Sequence, residues 1–104
     1  MINFKNKKIY GWSKSNYSRC NYLEISNIEQ IVDVFDYAKK NNNKISLRGG
    51  GRSYGDNTLN KDNIVLKHVE EKKIHSFNEL SGEILVSGSC TLIELLKFII
   101  PKGW

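Results

Sequence analysis

The chain has 104 residues, 39% hydrophobic and 26% charged, with a formal net charge of +5. That length allows one domain, or part of one, with a small core, and the composition excludes a collagen-like repeat and a disordered low-complexity tract. The longest apolar cluster, residues 92 to 100, is broken by Glu94 and Lys97, so no membrane span is predicted.

The N-terminal stretch MINFKNKKIYGW starts basic but has no apolar run of signal-peptide length. Cys20 and Cys90 lie far apart and outside any CxxC spacing, which predicts two free thiols in a reducing, cytoplasmic setting. Residues 22–25 (YLEI) read as a short strand. Ser26 and Glu29 have capping-box spacing ahead of a helix in which Ile28, Ile31, Val32, Phe35 and Ala38 form one apolar stripe. Asn41, Asn42 and Asn43 end that helix, and residues 44–48 (KISLR) alternate as a strand should. After a glycine-rich loop, strands are predicted at 64–67, 72–77 and 83–88, the last two joined as a hairpin through NELSG. Thr91 and Glu94 cap a second helix, LIELLKFII, which Pro101 stops. The strand–helix–strand opening implies a parallel unit and the later hairpin an antiparallel one, so the fold class is α+β, a small mixed sheet flanked by two helices. The closing PKGW starts a turn and stops on Trp104, which reads as a truncated domain.

Several residue types carry no chemistry in this reading. The lysines scatter over termini and loops, as a solvated surface does. Trp12 is expected to be a core anchor. His68 and His75 stand without carboxylate or cysteine partners, so neither is expected to ligate a metal. Glu70 and Glu71 precede two lysines and are expected in a solvated turn. No catalytic residue is identified.

The loop is the informative segment. Residues 48–57 read RGGGRSYGDN: three glycines between two arginines. Glycine gives up much conformational entropy on folding, so such a run exists where something must approach the backbone closely. Bared amides beside an arginine suit an anion, and a loop at the C-terminal end of a strand lies where α/β sheets bind ligands. The pattern is neither GxxxxGK[ST] nor a GxGxxG leading into a helix. The residues alone thus describe a phosphate or pyrophosphate cradle of unspecified kind, or a glycine-rich hairpin with surface arginines.

RGGGRSYGDN resembles the pyrophosphate loop of the FAD-dependent oxidoreductases of the vanillyl-alcohol oxidase and p-cresol methylhydroxylase superfamily. More narrowly, it is similar to the loop of the decaprenylphosphoryl-ribose oxidases. Gly11-Trp12, the SNIEQI helix, the IVL strand and the block GEILVSGSCTLIELLKFIIPKGW fall in the same order, so the resemblance covers nearly the whole chain. It implies that residues 1–104 are the N-terminal half of a PCMH-type FAD-binding domain, with FAD and the rest of a parent oxidoreductase chain as partners.

By that resemblance, Gly49, Gly50 and Gly51 let the backbone touch the FAD pyrophosphate. Amides of Arg52, Ser53 and Tyr54 donate to it, Ser53 adding its hydroxyl. Asp56 and Asn57 shape the turn and meet the cofactor's edge, Gly55 is among the cofactor-binding residues, Arg48 is a framework residue, and Leu47 contributes packing and main chain. Tyr54 packs over the turn or touches the cofactor, and both readings stay open. Many superfamily members carry at position 52 a histidine through which flavin is attached. An arginine stays protonated and is a poor nucleophile, so non-covalent FAD is expected.

The implied reaction is oxidation of an alcohol carbon of a sugar or alditol by hydride transfer to flavin N5. Two other readings are carried beside it: an inactive fragment that keeps only the fold, and a basic polyanion binder. The last calls for aromatics on a basic sheet face, whereas Phe35, Tyr37 and Phe98 fall on predicted helices, so no nucleic-acid partner is expected.

Overall fold

The lysine-rich start, which composition alone leaves unstructured, is a strand. A computed structural model describes residues 1–104 and divides them into two compact units, Met1–Val69 and Glu70–Trp104. In the first unit, β1 (Lys5–Tyr10) pairs antiparallel with β2 (Tyr17–Ile25). Lys7 and Lys8 lie over the rings of Tyr22 and Tyr17, at 4.5 and 4.1 Å from the ring centroids. Such stacking lets lysines sit on a strand whose sequence shows little apolar alternation. β2 is accordingly longer than the four residues predicted for it.

The helix α1 (Ile28–Lys40) follows, then β3 (Ile45–Leu47) and β4 (Ile64–His68). The sheet order is β1-β2-β4-β3, with β4 parallel to both of its neighbours. Because β4 is covered on both faces, Ile64, Val65 and Leu66 are all buried, the near-continuous apolar run of an interior parallel strand. Ile64 and Leu66 join Ile25, Val34 and Ala38 in one cluster, while Val65 joins Ile9, Cys20 and Tyr22 in another.

Two details of α1 depart from expectation. Its N-cap is Asn27, whose side chain accepts the Gln30 amide, while the Gln30 side-chain oxygen accepts the Ser26 amide at 2.8 Å. The cap therefore sits one residue beyond the Ser26–Glu29 box. Its core face carries Ile31, Val34 and Ala38, whereas Ile28, Val32 and Phe35 are more than half exposed. The predicted stripe omits Val34, which stands between Asp33 and Phe35 and is fully buried against the sheet.

Cys20 is fully buried and Cys90 half-buried, and both are free, as expected. Burial pushes the Cys20 thiol up, against the nearby charges of Arg48 and Lys7. Ser18 is buried in β2 and its hydroxyl has no hydrogen-bond partner. Replacing it with alanine removes a desolvated, unsatisfied group. Ser18→Ala should therefore leave the urea midpoint unchanged or raise stability by up to about 1 kcal/mol.

In the second unit, β5 (Ile74–Phe77) and β6 (Ile84–Val86) form an antiparallel ribbon of their own, bulged between Ile74 and Ser76. The predicted NELSG hairpin is present: the Asn78 side chain accepts the amides of Leu80 and Ser81, and its own amide donates to Glu83. Gly82 has φ +78, and a Cβ there would run into the Trp104 ring. The helix α2 (Leu92–Ile99) ends in a 3-10 turn over Ile100–Lys102 that holds Pro101. Phe98 meets Phe77 edge-on at 5.6 Å between ring centroids, yet α2 has no fully buried residue.

The Thr91–Glu94 capping box forms as predicted, and Glu94 also takes a 2.7 Å ion pair from Lys73. The Lys73 hydrogen bond, then those from Thr91, hold the Glu94 carboxyl down at about 2, against an ordinary 4.5. A folded-state value below the unfolded one means the ionised form favours folding. The contribution is complete above pH 4.5 and disappears as pH falls through about 2. Helix signal in circular dichroism should thus decline over that interval, and Glu94→Gln should flatten the decline. With 39% of its side chain exposed, the pair is partly screened and the effect is modest.

Candidate functional site

The loop between β3 and β4 is the part of the first unit where backbone is least engaged. β3 is only three residues long, and the Arg48 amide donates to Leu66, closing the parallel ladder. From Gly49 through Thr58, no amide donates to an acceptor of the chain; the next to do so is Leu59, to the Asp56 carbonyl at 2.8 Å. Backbone donors normally find partners in a folded protein. A run of free amides in an ordered loop is thus a set of donors available to something else.

Side chains do not seal it. Gly49 and Gly50 are exposed, and a Cβ added to Gly49 would meet nothing within 4 Å. Arg52, Gly55, Asp56 and Asn57 are exposed, Ser53 is half-buried, and Tyr54 is 84% exposed. Leu47, at the end of β3, points outward at 71% exposure while its backbone pairs with Leu66.

Gly51 differs from its neighbours: it is buried, with φ +69, a conformation glycine adopts at little steric cost. Arg48 explains the burial. Its Nη2 donates to the Tyr10 carbonyl at 2.9 Å, and its Nη1 to the Thr58 hydroxyl at 3.2 Å and the Thr58 carbonyl at 3.4 Å. The guanidinium thus joins both ends of the loop to the end of β1. Thr58, which carried no signal beyond its place in a turn-rich stretch, is buried and belongs to this framework. Nothing in the sequence pointed to the Tyr10 carbonyl.

Beneath the loop, Tyr22 packs in the apolar cluster with Ile9, Cys20 and Val65, against which Leu59 also rests. Burial, then a 3.1 Å hydrogen bond to Glu24, pushes the Tyr22 hydroxyl up to about 12, with Arg48 opposing the shift. Tyr22 is neutral at physiological pH, as a tyrosine at its ordinary value of 10 would also be, and adds no charge beside Arg48.

Two expectations about rings and histidines are corrected. Trp12 is not a core anchor: it is 51% exposed, and its ring meets Tyr54 edge-on at 5.3 Å. The indole lies in the connection between β1 and β2, beside Tyr54 of the glycine loop. His75 does have a carboxylate neighbour, Glu70 Oε1 at 3.8 Å. No group of three or more histidine, cysteine or carboxylate residues is placed to hold a metal. A separate shallow hollow lies on the hairpin, lined by Ser76, Phe77, Asn78, Glu83, Ile84 and Leu85, and brings no pair of ionisable groups together.

Free amides, an open approach at Gly49 and a basic setting fit a diphosphate, because each amide can donate to a non-bridging oxygen without a side chain intervening. The site fits the cofactor suggested by resemblance.

Comparison with known proteins agrees. Residues 21–104 match the family described as FAD binding domain. Over 98 residues the chain is 30% identical to the decaprenylphosphoryl-beta-D-ribose oxidase of Mycolicibacterium smegmatis, which covers 93% of this chain and 21% of that protein. Over 80 residues it is 36% identical to the FAD-linked oxidoreductase janO of Penicillium janthinellum, covering 77% of this chain and 18% of that one. The chain spans about a fifth of the length of these curated relatives. With residues 21–104 inside the family match, the greater part of its length, this chain belongs to the FAD-binding-domain family.

Proposed function

We propose that Leu47–Asn57 cradles the diphosphate of FAD in an oxidoreductase that oxidises an alcohol carbon of a sugar or alditol-type substrate. The observation that carries this reading is the unbroken run of undonated amides from Gly49 to Thr58 beside the open face of Gly49. The amides of Gly49–Tyr54 meet the phosphate oxygens, the Ser53 hydroxyl adds a donor, and Asp56 and Asn57 hold the turn. Arg52, exposed, supplies charge. The cofactor supplies a two-electron acceptor at flavin N5 for the hydride that leaves the alcohol carbon. The alcohol substrate is supported by the name of the ribose oxidase relative and not by any residue of this chain.

Residues 1–104 act in this proposal as the first half of the FAD-binding domain, completed by further chain that also brings the substrate residues. A site with one wall holds its ligand weakly, because few contacts offset the lost translational freedom. Binding to the 104-residue chain should therefore be weaker than micromolar. Proton–nitrogen correlation spectra recorded during titration with FAD or ADP detect such binding. Progressive shifts of the Gly49–Asn57 amides are expected; shifts confined to other residues would sink the assignment. Flavin bound by the complete protein should come away on denaturation, since Arg52 offers no covalent link. Flavin that stays attached at this position overturns that expectation.

One observation touches the polyanion reading. On β1 and β2, Tyr10 and Tyr17 are exposed, with Lys8 over both rings and Arg19 directly opposite Lys8. This is a basic aromatic sheet face, and Lys8 lies over one face of each ring, where it competes with a stacking base. A low-salt gel shift with single-stranded oligonucleotide should show no retained complex. Two free thiols suit the cytoplasm as the place of action, and no helix is long and apolar enough to cross a membrane.

A further inference from the structure

We infer that Arg48 is a positioning residue that sets the shape of the cofactor loop and acts through Gly51 and Thr58, not by touching the phosphates. This inference rests on the FAD reading of the same loop. Its donors are already directed elsewhere: Nη2 to the Tyr10 carbonyl, Nη1 to the Thr58 hydroxyl and carbonyl. All these acceptors are neutral oxygens, and no carboxylate pairs with the guanidinium. The side chain therefore works as a three-point fastener, drawing residue 58 and the end of β1 toward the strand from which the loop departs. A planar fork with several donors can do this; a lysine ammonium on a flexible stem cannot hold the same directions together.

Gly51 is the counterpart. A Cβ there would stand 2.5 Å from Arg48 Nη2 and 2.9 Å from Cζ, so the guanidinium occupies the space a side chain would need. Fastener and glycine are one device: the Arg48 guanidinium fills the space a side chain at residue 51 would need, and the positive φ there suits glycine. Loss of either half should leave the strands intact and blur the loop.

The test uses Arg48→Lys, Arg48→Ala, Gly51→Ala and the double variant Arg48→Ala/Gly51→Ala of the 104-residue chain. In Arg48→Ala, backbone order parameters of Gly49–Asn57 should fall from rigid values near about 0.85 to below about 0.6. Those of β2 and β4 should not change. The FAD concentration for half-maximal loop shifts should rise about tenfold or more, the scale of losing hydrogen bonds to a charged group, and Arg48→Lys should recover part of the loss. The melting penalties of Gly51→Ala and Arg48→Ala should be less than additive, since removing the guanidinium frees the space the new methyl needs. Unchanged loop order in both Arg48 variants, additive penalties, or a disordered loop with unaltered FAD response each overturn the inference. Should the parent chain give no loop shifts with FAD, the cofactor reading fails while order parameters and additivity still decide the fastening role. If Arg48→Ala does not fold, Arg48→Lys carries the comparison.

Discussion

Gly49→Val should abolish the loop's response to FAD without disturbing the fold. A Cβ at Gly49 meets no atom within 4 Å, and its φ lies outside the left-handed region, so the branched side chain fits the native backbone. Exposed substitutions of this kind typically change stability by no more than about 0.5 kcal/mol. The same side chain stands in the space through which a diphosphate must reach the amides. The expected result is an unchanged melting curve together with a loss of about tenfold or more in FAD affinity, since even one charge-assisted hydrogen bond held out of reach is worth that much. Few substitutions separate folding from binding so cleanly. Full FAD response in a folded Gly49→Val chain would mean that the cofactor meets other residues.

Ile64→Ala is expected to have the largest effect on stability. Ile64 is fully buried at the start of β4, paired to β2 on one side and β3 on the other, and it packs in the cluster with Val34 and Ala38. Truncation leaves a cavity bounded by strand backbone on both sides, which cannot collapse readily. The loss should be about 3 kcal/mol, within the range for buried isoleucine, and about a third or more of the total for a domain of this size. Calorimetry should register a fall in melting temperature on the order of 15 °C. A change of only a few degrees would mean that β4 is not the centre of the core. In contrast to Gly49→Val, any weakening of FAD binding here should follow the unfolded fraction and vanish on cooling.

Much of this architecture could be read from local chemistry. The Thr91–Glu94 box, the Pro101 stop, the NELSG turn and the strand at 64–67 are set by residues within a few positions of one another, and the structure contains each of them. The misses share a different cause. β1 escaped because its lysines are accommodated by tyrosines from the neighbouring strand, a cross-strand arrangement that no window along KNKKIY contains. The α1 face was misassigned because Val34 and Val32 look alike until the sheet beneath the helix decides between them. The tendency of tryptophan to be buried misplaces Trp12, whose partner Tyr54 is remote in sequence. At the loop, the glycines and arginines announced anion chemistry, but the division of labour did not show. Arg48 faces inward and Arg52 outward because of the Tyr10 carbonyl, a main-chain group remote in sequence.

The outer position of β1 has a bearing on how copies of the chain behave toward each other. Its far side offers unpaired main-chain groups, the usual template for one sheet to extend into another. Lys5, Lys7 and Lys8 are exposed on this strand, and although Lys7 and Lys8 lean over tyrosine rings, two such strands brought together would face like charge with like charge. The strand therefore carries its own safeguard against polymerisation. Crowding, acetylation of these lysines or concentrated salt would be the conditions that lift it.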